Sequence, residues 1–150
     1  MAYNTAYRIM GEGGAAEDAT QEAFISMYQK LHTYRGGSFK AWILRIVTNA
    51  CYDELRRRQR RPVTALEPED DDGELVESPK WMEDTSPTPD ESMDQSELEA
   101  AIQHCLDDLD DNFRTVVVLV DLSGEDYETV AGIIKKPMGT VKSRLARARQ

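Results

Sequence analysis

The stretch YETVAGIIKKPMGTVKSRLARAR, residues 127–149, contains two short helical patterns separated by a proline turn. Apolar side chains recur at helical spacing in both patterns, which predicts an inward face on each helix. The predicted inward residues are Val130, Ala131, Ile133 and Ile134 in the first helix, and Val141, Leu145 and Ala148 in the second. Two short helices joined by a tight turn, with a small residue where they cross, form a helix-turn-helix.

The outer face of the second helix is basic. Its candidate DNA-contacting residues are Thr140, Lys142, Ser143, Arg144 and Arg147. In a helix-turn-helix the second helix enters the major groove of DNA, with its N-terminal residues at the base edges. We expect Thr140 or Gly139 to cap this helix. A basic terminal helix without a nucleic-acid partner is the alternative for this segment.

A second amphipathic helix is predicted from about Phe39 to Arg58. Its apolar arc is wide and contains Trp42, Ile43, Leu44, Ile46, Val47, Ala50, Cys51 and Leu55. The opposite face carries a polar stripe of Arg45, Asn49, Tyr52 and Arg56, together with Thr48 and Asp53. Arginine contacts phosphate and guanine in bidentate geometry, and asparagine pairs with adenine edges. The stripe therefore favours nucleic-acid contact over an ordinary solvated face.

The net charge of −10 comes from the middle of the chain. Residues 1–61 carry a net charge of +4, residues 62–99 carry −13, and residues 100–150 carry −1. Five of the six prolines fall between residues 62 and 89, and acidic, proline-rich sequence cannot bury enough apolar surface to fold alone. We therefore predict an acidic flexible linker over residues 62–96, in which Val76, Trp81 and Met82 could dock on a neighbour.

The remaining segments predict helices as well. Residues 15–31 show apolar spacing at Ala16, Ala19, Ala23, Met27 and Leu31, and residues 96–109 show it at Leu98, Ile102, Cys105, Leu106 and Leu109. The valine-rich segment FRTVVVLVDL, residues 113–122, has the composition of a strand, but its helical neighbours favour a buried helix. The expected fold is all-α, with small helical domains at residues 1–61 and 97–150.

Several classes of function are disfavoured. No membrane-spanning run, secretory signal, phosphate-binding glycine loop or Ser/His/Asp set stands out, so we expect no catalytic residues, no cofactor and no membrane insertion. Cys51 and Cys105 lie in apolar patterns and are expected to be buried, reduced thiols. No metal site is expected, because His32 and His104 lack partners at ligand spacing and Pro68 takes the first ligand position of the only EF-hand-like loop.

Two DNA-reading units joined by an acidic tether resemble a bacterial RNA polymerase sigma factor of the extracytoplasmic-function (ECF) group, in the sigma-70 family. The segments AEDATQEAF and YRGGSFKAWILRIVTNACYDELRR look like region 2 of that family, and YETVAGIIKKPMGTVKSRLARAR looks like region 4. The family often has glycine where this chain has Lys135. If this position is left-handed, a residue other than glycine costs about 1 kcal/mol there.

The resemblance implies roles for individual residues. Asp18, Gln21 and Glu22 would bind the β′ clamp helices of core RNA polymerase, and the loop Gly36, Gly37, Ser38 and Phe39 would hold a flipped base of the −10 promoter element. Arg45, Asn49, Tyr52, Asp53, Arg56 and Arg57 would read or melt that element, and the outer face of the last helix would contact the −35 element. Further implied partners are promoter DNA and an anti-sigma factor, and the implied location is the bacterial cytoplasm.

The sequence thus predicts a non-enzymatic initiation factor that gives RNA polymerase its promoter specificity. Two alternatives stay open at this stage: a stand-alone helix-turn-helix regulator, and a sigma-like adaptor that binds polymerase without reading DNA. A hydrolase built on the acidic cluster is a weaker third, because a proline-rich segment is a poor scaffold for a preorganised site.

Overall fold

The computed structural model describes residues 1–60 and 89–150. Side chains are described for residues 1–60 and 97–150. Its α-helices are α1 (Ala2–Met10), α2 (Gly13–Lys30), α3 (Phe39–Arg60), α4 (Pro89–Asp107), α5 (Asp111–Val117), α6 (Tyr127–Ile134) and α7 (Met138–Ala148). A 3₁₀ turn at Leu31–Thr33 follows α2, and a π-helical turn at Val118–Leu122 continues α5. The described ranges contain no strand, which confirms the all-α prediction.

Helices α1, α2 and α3 pack against one another as a three-helix bundle. Their shared core is rich in small side chains on α2, which allow close helix approach: Ala15, Ala16, Ala19 and Ala23 are all buried. Ile9 of α1 and Val47 and Cys51 of α3 fill the space between the helices and are inaccessible to solvent. The predicted apolar arc of α3 therefore forms the central wall of this bundle.

Helices α5, α6 and α7 form the second unit, and α6 and α7 are the predicted helix-turn-helix. Their core contains Val116, Leu119, Val130, Ile133, Ile134, Val141 and Leu145. The valine-rich segment is helical as predicted: Val116 packs in the core with α6 and α7, and Val118 packs in the core of the first unit. The π-helical turn at its end was not predicted from the sequence.

The two units share their cores. Leu44 of α3 lies in the core of the second unit, while Leu106 and Val118 lie in the core of the first. Arg114, which is 9% exposed, donates hydrogen bonds to the carbonyl oxygens of Ile9, at 2.9 Å, and Leu106, at 2.8 Å. Residue spacing alone did not predict this contact between the two halves of the described chain.

Arg114 also caps the end of α4. Its Nη2 atom donates to the carbonyl oxygens of Asp107, at 3.1 Å, and Leu109, at 2.9 Å. Gly11 ends α1 beside this group in left-handed geometry (φ 74°), and a Cβ atom there would lie 2.6 Å from the Asp107 carboxylate. The glycine therefore lets the end of α1 approach the end of α4.

Several burial predictions were wrong. Leu31 and Leu98 are exposed, and Cys105 is exposed because it lies on the outer side of α4. Thr48, predicted on the polar face, is fully buried, since the wide core of the bundle reaches past the expected arc. Cys51 is buried as predicted, and desolvation raises the pKa of its thiol to about 12.

Helix α4 begins at Pro89, within the segment predicted as linker over residues 62–96. Proline is tolerated at the first position of a helix because its missing N–H has no intrahelical partner there. The rest of that prediction, including Val76, Trp81 and Met82, lies outside the described residues.

Candidate nucleic-acid and polymerase interfaces

The loop before α3 forms an aromatic platform. Gly36 and Gly37 both adopt positive φ angles, of 94° and 91°, which side chains larger than hydrogen rarely tolerate. The Tyr34 hydroxyl donates to the carbonyl oxygen of Gly37 at 2.8 Å, and the Phe39 ring stacks on Trp42 with ring centroids 5.6 Å apart. An aromatic pair next to a glycine loop can stack an unpaired base.

Ser38 fixes the start of α3. Its Oγ atom accepts a hydrogen bond from the Ala41 N–H at 3.1 Å, which satisfies one of the free donors of the first turn. Phe39 is 48% exposed and therefore presents its ring next to this cap. A pocket of about 330 Å³ lies beside the loop, lined by Tyr34, Gly36, Ser38, Trp42 and Arg45 and, across from them, by Thr129, Gly132 and Ile133 of α6.

The polar stripe of α3 faces the second unit. Arg45 and Arg56 are exposed, whereas Asn49 and Tyr52 are half-buried. Burial raises the pKa of the Tyr52 phenol, and a hydrogen bond shared with the Thr115 hydroxyl opposes that rise. The predicted stripe is thus present on one face, but part of it is covered.

A cleft of about 800 Å³ separates the stripe from the helix-turn-helix. Its α3 wall includes Asn49, Tyr52, Asp53 and Arg56, and its opposite wall includes Asp111, Lys135, Lys136 and Arg144. The structure therefore brings Arg144, predicted for the −35 element, next to residues predicted for the −10 element. This proximity was not predicted from the spacing of residues in the sequence.

The arginines at the end of α3 are paired with acids. Arg56 pairs with Asp53 at 3.1 Å, and Arg57 pairs with Glu54 at 2.5 Å. Arg58 bridges Glu54 at 3.0 Å and Glu12, at the start of α2, at 2.5 Å; these contacts raise the pKa of its guanidinium and lower that of the Glu12 carboxyl. Arg56 and Arg57, which are predicted to contact the −10 element, thus pair with acids of their own helix, and Arg58 fastens α3 to α2.

The predicted polymerase-binding residues are exposed on α2. Asp18, Gln21 and Glu22 line a groove of about 440 Å³ together with Ile25 and with Asp53, Glu54 and Arg57 of α3. Arg57 lies 3.9 Å from the Asp18 carboxylate. An exposed ion pair therefore links Arg57, which is predicted to contact DNA, to Asp18, which is predicted to bind polymerase.

The helix-turn-helix has the predicted geometry at its turn. Asp126 caps α6 by accepting from the Thr129 N–H at 2.8 Å, which lowers the pKa of its carboxyl. Lys135 ends α6 in left-handed geometry (φ 54°), the conformation that favours the glycine often found at this position in the sigma-70 family. The capping prediction for α7 was wrong: the helix begins at Met138, so Gly139 and Thr140 lie inside its first turn.

The outer face of α7 is accessible at most predicted positions. Lys142, Ser143 and Arg147 are exposed, while Thr140 and Arg144 are half-buried. The ammonium group of Lys142 lies 5.9 Å from the centre of the Tyr127 ring, and Arg149 pairs with Asp121 at 2.5 Å, which fastens the end of α7. The exposed members form one basic face that could enter a DNA groove.

No cluster of three potential metal ligands occurs within residues 1–60 and 97–150. No helix in the described part of the chain is long and apolar enough to span a membrane.

Family models match both ends of the chain: "Sigma-70 region 2" covers residues 1–61, and "Sigma-70, region 4" covers residues 99–150. The chain is 35% identical to the RNA polymerase sigma-H factor of Pseudomonas aeruginosa, over 95% of this chain and 74% of that protein. It belongs to the ECF sigma factor family. Sigma factors are non-enzymatic transcription initiation factors that recognise promoters, so the alternatives left open by the sequence are not favoured.

Other relatives agree with this assignment. The chain is 40% identical to ECF RNA polymerase sigma factor SigE of Mycolicibacterium smegmatis over 99% of its length, but spans only 54% of that protein. Among solved structures, the sigma factor RpoE of Bartonella quintana, in complex with the anti-sigma factor NepR, aligns with a TM-score of 0.69 and 28% identity, covering 99% of this chain and 84% of that one.

Proposed function

We propose that this chain binds core RNA polymerase and directs promoter-specific initiation, with residues 1–61 reading the −10 element and residues 97–150 reading the −35 element, joined through residues 62–96. The main support is the pairing of two DNA-reading surfaces in one chain. One is the stripe and aromatic platform of region 2, and the other is the basic face of α7. A stand-alone regulator would need only the second surface.

For the −10 element, the platform would hold an unpaired base. Phe39 and Trp42 offer stacked rings beside the glycine loop, and each base stacked on an aromatic side chain is worth about 1–3 kcal/mol. Asn49 would read an adenine edge, while Arg45, Tyr52, Asp53, Arg56 and Arg57 would position the strand. Strand opening would thus be driven by the binding of unstacked bases, without nucleotide hydrolysis.

For the −35 element, α7 would enter the major groove. Lys142, Ser143 and Arg147 are exposed along one face, and Thr140 and Arg144 border it. Arginine in the groove gives the commonest base-specific contact, with guanine. The left-handed turn at Lys135 sets the angle between α6 and α7, and hence the depth at which α7 would enter the groove.

The exposed carboxylates and amide of α2 would receive the β′ clamp helices. Asp18, Gln21 and Glu22 border an open groove, which Ile25 supplements with apolar surface. The relative from Bartonella quintana was solved with an anti-sigma factor, and we extend that class of partner to this chain by likeness. The working location would be the cytoplasm, where RNA polymerase and its sigma factors act.

The decisive experiment is run-off transcription with bacterial core polymerase on a pool of randomised promoters, with and without the chain. Enrichment of defined −35 and −10 elements supports the proposal. Binding to core without any enrichment favours the adaptor, and tight duplex binding without core binding favours the stand-alone regulator. Asn49→Ala should change the enriched −10 sequence alone, and Arg147→Ala should change the −35 sequence alone.

A further inference from the structure

We propose that Arg57 and Glu54 extend the polymerase-binding surface of α2 onto α3. Arg57 receives a carboxylate from the polymerase helix that enters the groove, and Glu54 is the positioning residue that holds Arg57 there. The inference rests on the proposed function, which supplies the partner. Arg57 thereby gains a second role beside the DNA contact predicted for it, and Glu54 gains a role that was not predicted from the sequence.

The groove beside α2 has small residues between two polar walls. Ala19 of α2 and Ala50 of α3 are buried and line it. Because a methyl group fills little space, a volume of about 440 Å³ stays open between the outward side chains of the two helices. An amphipathic helix can lay one face into such a groove. One wall belongs to α2 and the other to α3, so a partner in the groove touches both helices.

Two neighbouring arginines of α3 line different cavities. Arg56 lines the cleft that contains Asn49 and Tyr52, whereas Arg57 lines the groove beside α2. Successive residues of an α-helix lie about 100° apart around its axis, which accounts for this difference. The Arg57 side chain is 57% exposed, so a partner can reach its guanidinium. Of the two arginines, Arg57 is therefore the one placed for a protein partner in the groove.

Glu54 anchors the guanidinium of Arg57. Its side chain is 9% exposed, and its Oε2 atom lies 2.5 Å from Arg57 Nη2. The Oε1 atom of the same carboxylate lies 3.0 Å from Arg58 Nε, and Arg58 reaches Glu12 at 2.5 Å. Charge-assisted bonds of this kind are directional as well as strong. Because two arginines hold the Glu54 carboxylate at once, it stays in place beneath Arg57 and orients the guanidinium toward the groove.

The charges in the groove define the chemistry of the entering helix. Among the described residues that line it, Arg57 is the one cation, and the anions are Asp18, Glu22, Asp53 and Glu54. Asp18 lies 3.9 Å from Arg57, and such an exposed pair contributes little and is readily exchanged. A carboxylate on the entering helix can therefore replace Asp18 at Arg57, while a base beside it takes up Asp18. Arginine–carboxylate geometry is specific, so this contact would fix the register of the helix.

The test measures the affinity of the full chain for core polymerase in the absence of DNA. The key variant is Arg57→Met, which keeps the apolar stem and removes the charge; we expect core binding to weaken about tenfold. Arg57→Lys keeps the charge without the planar fork and should lose about threefold. Arg60→Met is the matched control, because Arg60 is exposed on the same helix, carries the same charge and does not line the groove. It should bind core as tightly as the parent chain.

Glu54→Gln tests whether Glu54 acts through Arg57. Glutamine keeps the shape of the side chain and removes its charge, and it should weaken core binding about threefold. The double variant Glu54→Gln/Arg57→Met should bind core no more weakly than Arg57→Met, because without Arg57 there is nothing left for Glu54 to position. A purely structural role of Glu54 would give additive losses instead. Because Arg57 is exposed, its variants decide the main question even where Glu54→Gln unfolds the chain in a urea titration.

A loss of core affinity in Arg57→Met that Arg57→Lys partly restores, and that Arg60→Met does not show, supports the proposal. Equal core affinities of the parent and Arg57→Met overturn it, as do equal losses for Arg57→Met and Arg60→Met. Additive losses in the double variant overturn the positioning role of Glu54. Promoter-specific run-off transcription by the parent is scored separately. If the parent gives such transcripts while Arg57→Met binds core normally, this inference alone fails, whereas a parent that does not bind core refutes the proposed function as well.

Discussion

Replacing Arg114 with methionine should cause a large loss of stability. The guanidinium donates to four carbonyl oxygens, those of Ile9, Leu106, Asp107 and Leu109, at 2.8–3.1 Å. Three of these oxygens belong to the ends of α1 and α4, where backbone acceptors have no partner within their own helix, and that of Leu109 lies in the turn after α4. Methionine keeps most of the apolar stem and removes every donor, so the variant isolates the hydrogen bonds.

The expected loss is about 3–5 kcal/mol. A hydrogen bond to a charged group contributes about 1.5–3 kcal/mol, and four such bonds would give more than this range if they were independent. They share one guanidinium, however, and some of the freed carbonyl groups lie near the surface, where water can replace the donor. A chain of this size loses about 2–4 °C in Tm per kcal/mol, which corresponds to a fall of about 10 °C.

Urea and thermal unfolding followed by circular dichroism measure this loss. Arg147→Met is the matched control, because Arg147 lies exposed on α7 and surface substitutions usually change stability by less than about 0.5 kcal/mol. A loss below about 1 kcal/mol for Arg114→Met would refute the reasoning, since it would mean that water satisfies these carbonyl groups as well as the guanidinium does.

Four smaller perturbations test other parts of the structure. Thr48→Val should stabilise the chain by about 1 kcal/mol in urea unfolding, because the Thr48 hydroxyl is buried and finds no hydrogen-bond partner within the described residues; a loss would mean that it has one. Lys135→Gly should raise Tm by relieving the left-handed backbone, whereas Lys136→Gly should not. Asp126→Ala should lower Tm at pH 7. Because folding lowers the pKa of this carboxyl, the Tm difference between parent and variant should shrink as pH falls below about 4. A Tm difference that does not change with pH would contradict the capping role. Arg57→Ala should weaken binding to all DNA sequences and reduce the salt slope by about one, while Asn49→Ala should weaken only specific binding; equal losses on specific and scrambled DNA would contradict both assignments.

Periodicity predicted the helices well where one face is apolar and the other polar. The arc of α3 and the inward residues of α6 and α7 follow directly from spacing, because each of these helices buries one stripe. The same spacing failed at Leu98, which is exposed although it continues the apolar pattern of α4, and at Cys105, which lies on the outer side of that helix. Helix α1 was not predicted, although Ala6 and Ile9 are fully buried.

The sequence predicted which residues form the candidate sites, but it did not predict how those residues are arranged in space. The sequence indicated the stripe and the basic face of α7, yet it could not show that Asn49 and Arg144 line one cleft, since that depends on long-range packing. Nor could it distinguish Arg57 and Arg58, which pair with Glu54, from arginines left open for phosphate. Nothing in the sequence indicated that Arg114 is buried, because one basic residue beside a valine run resembles any surface arginine.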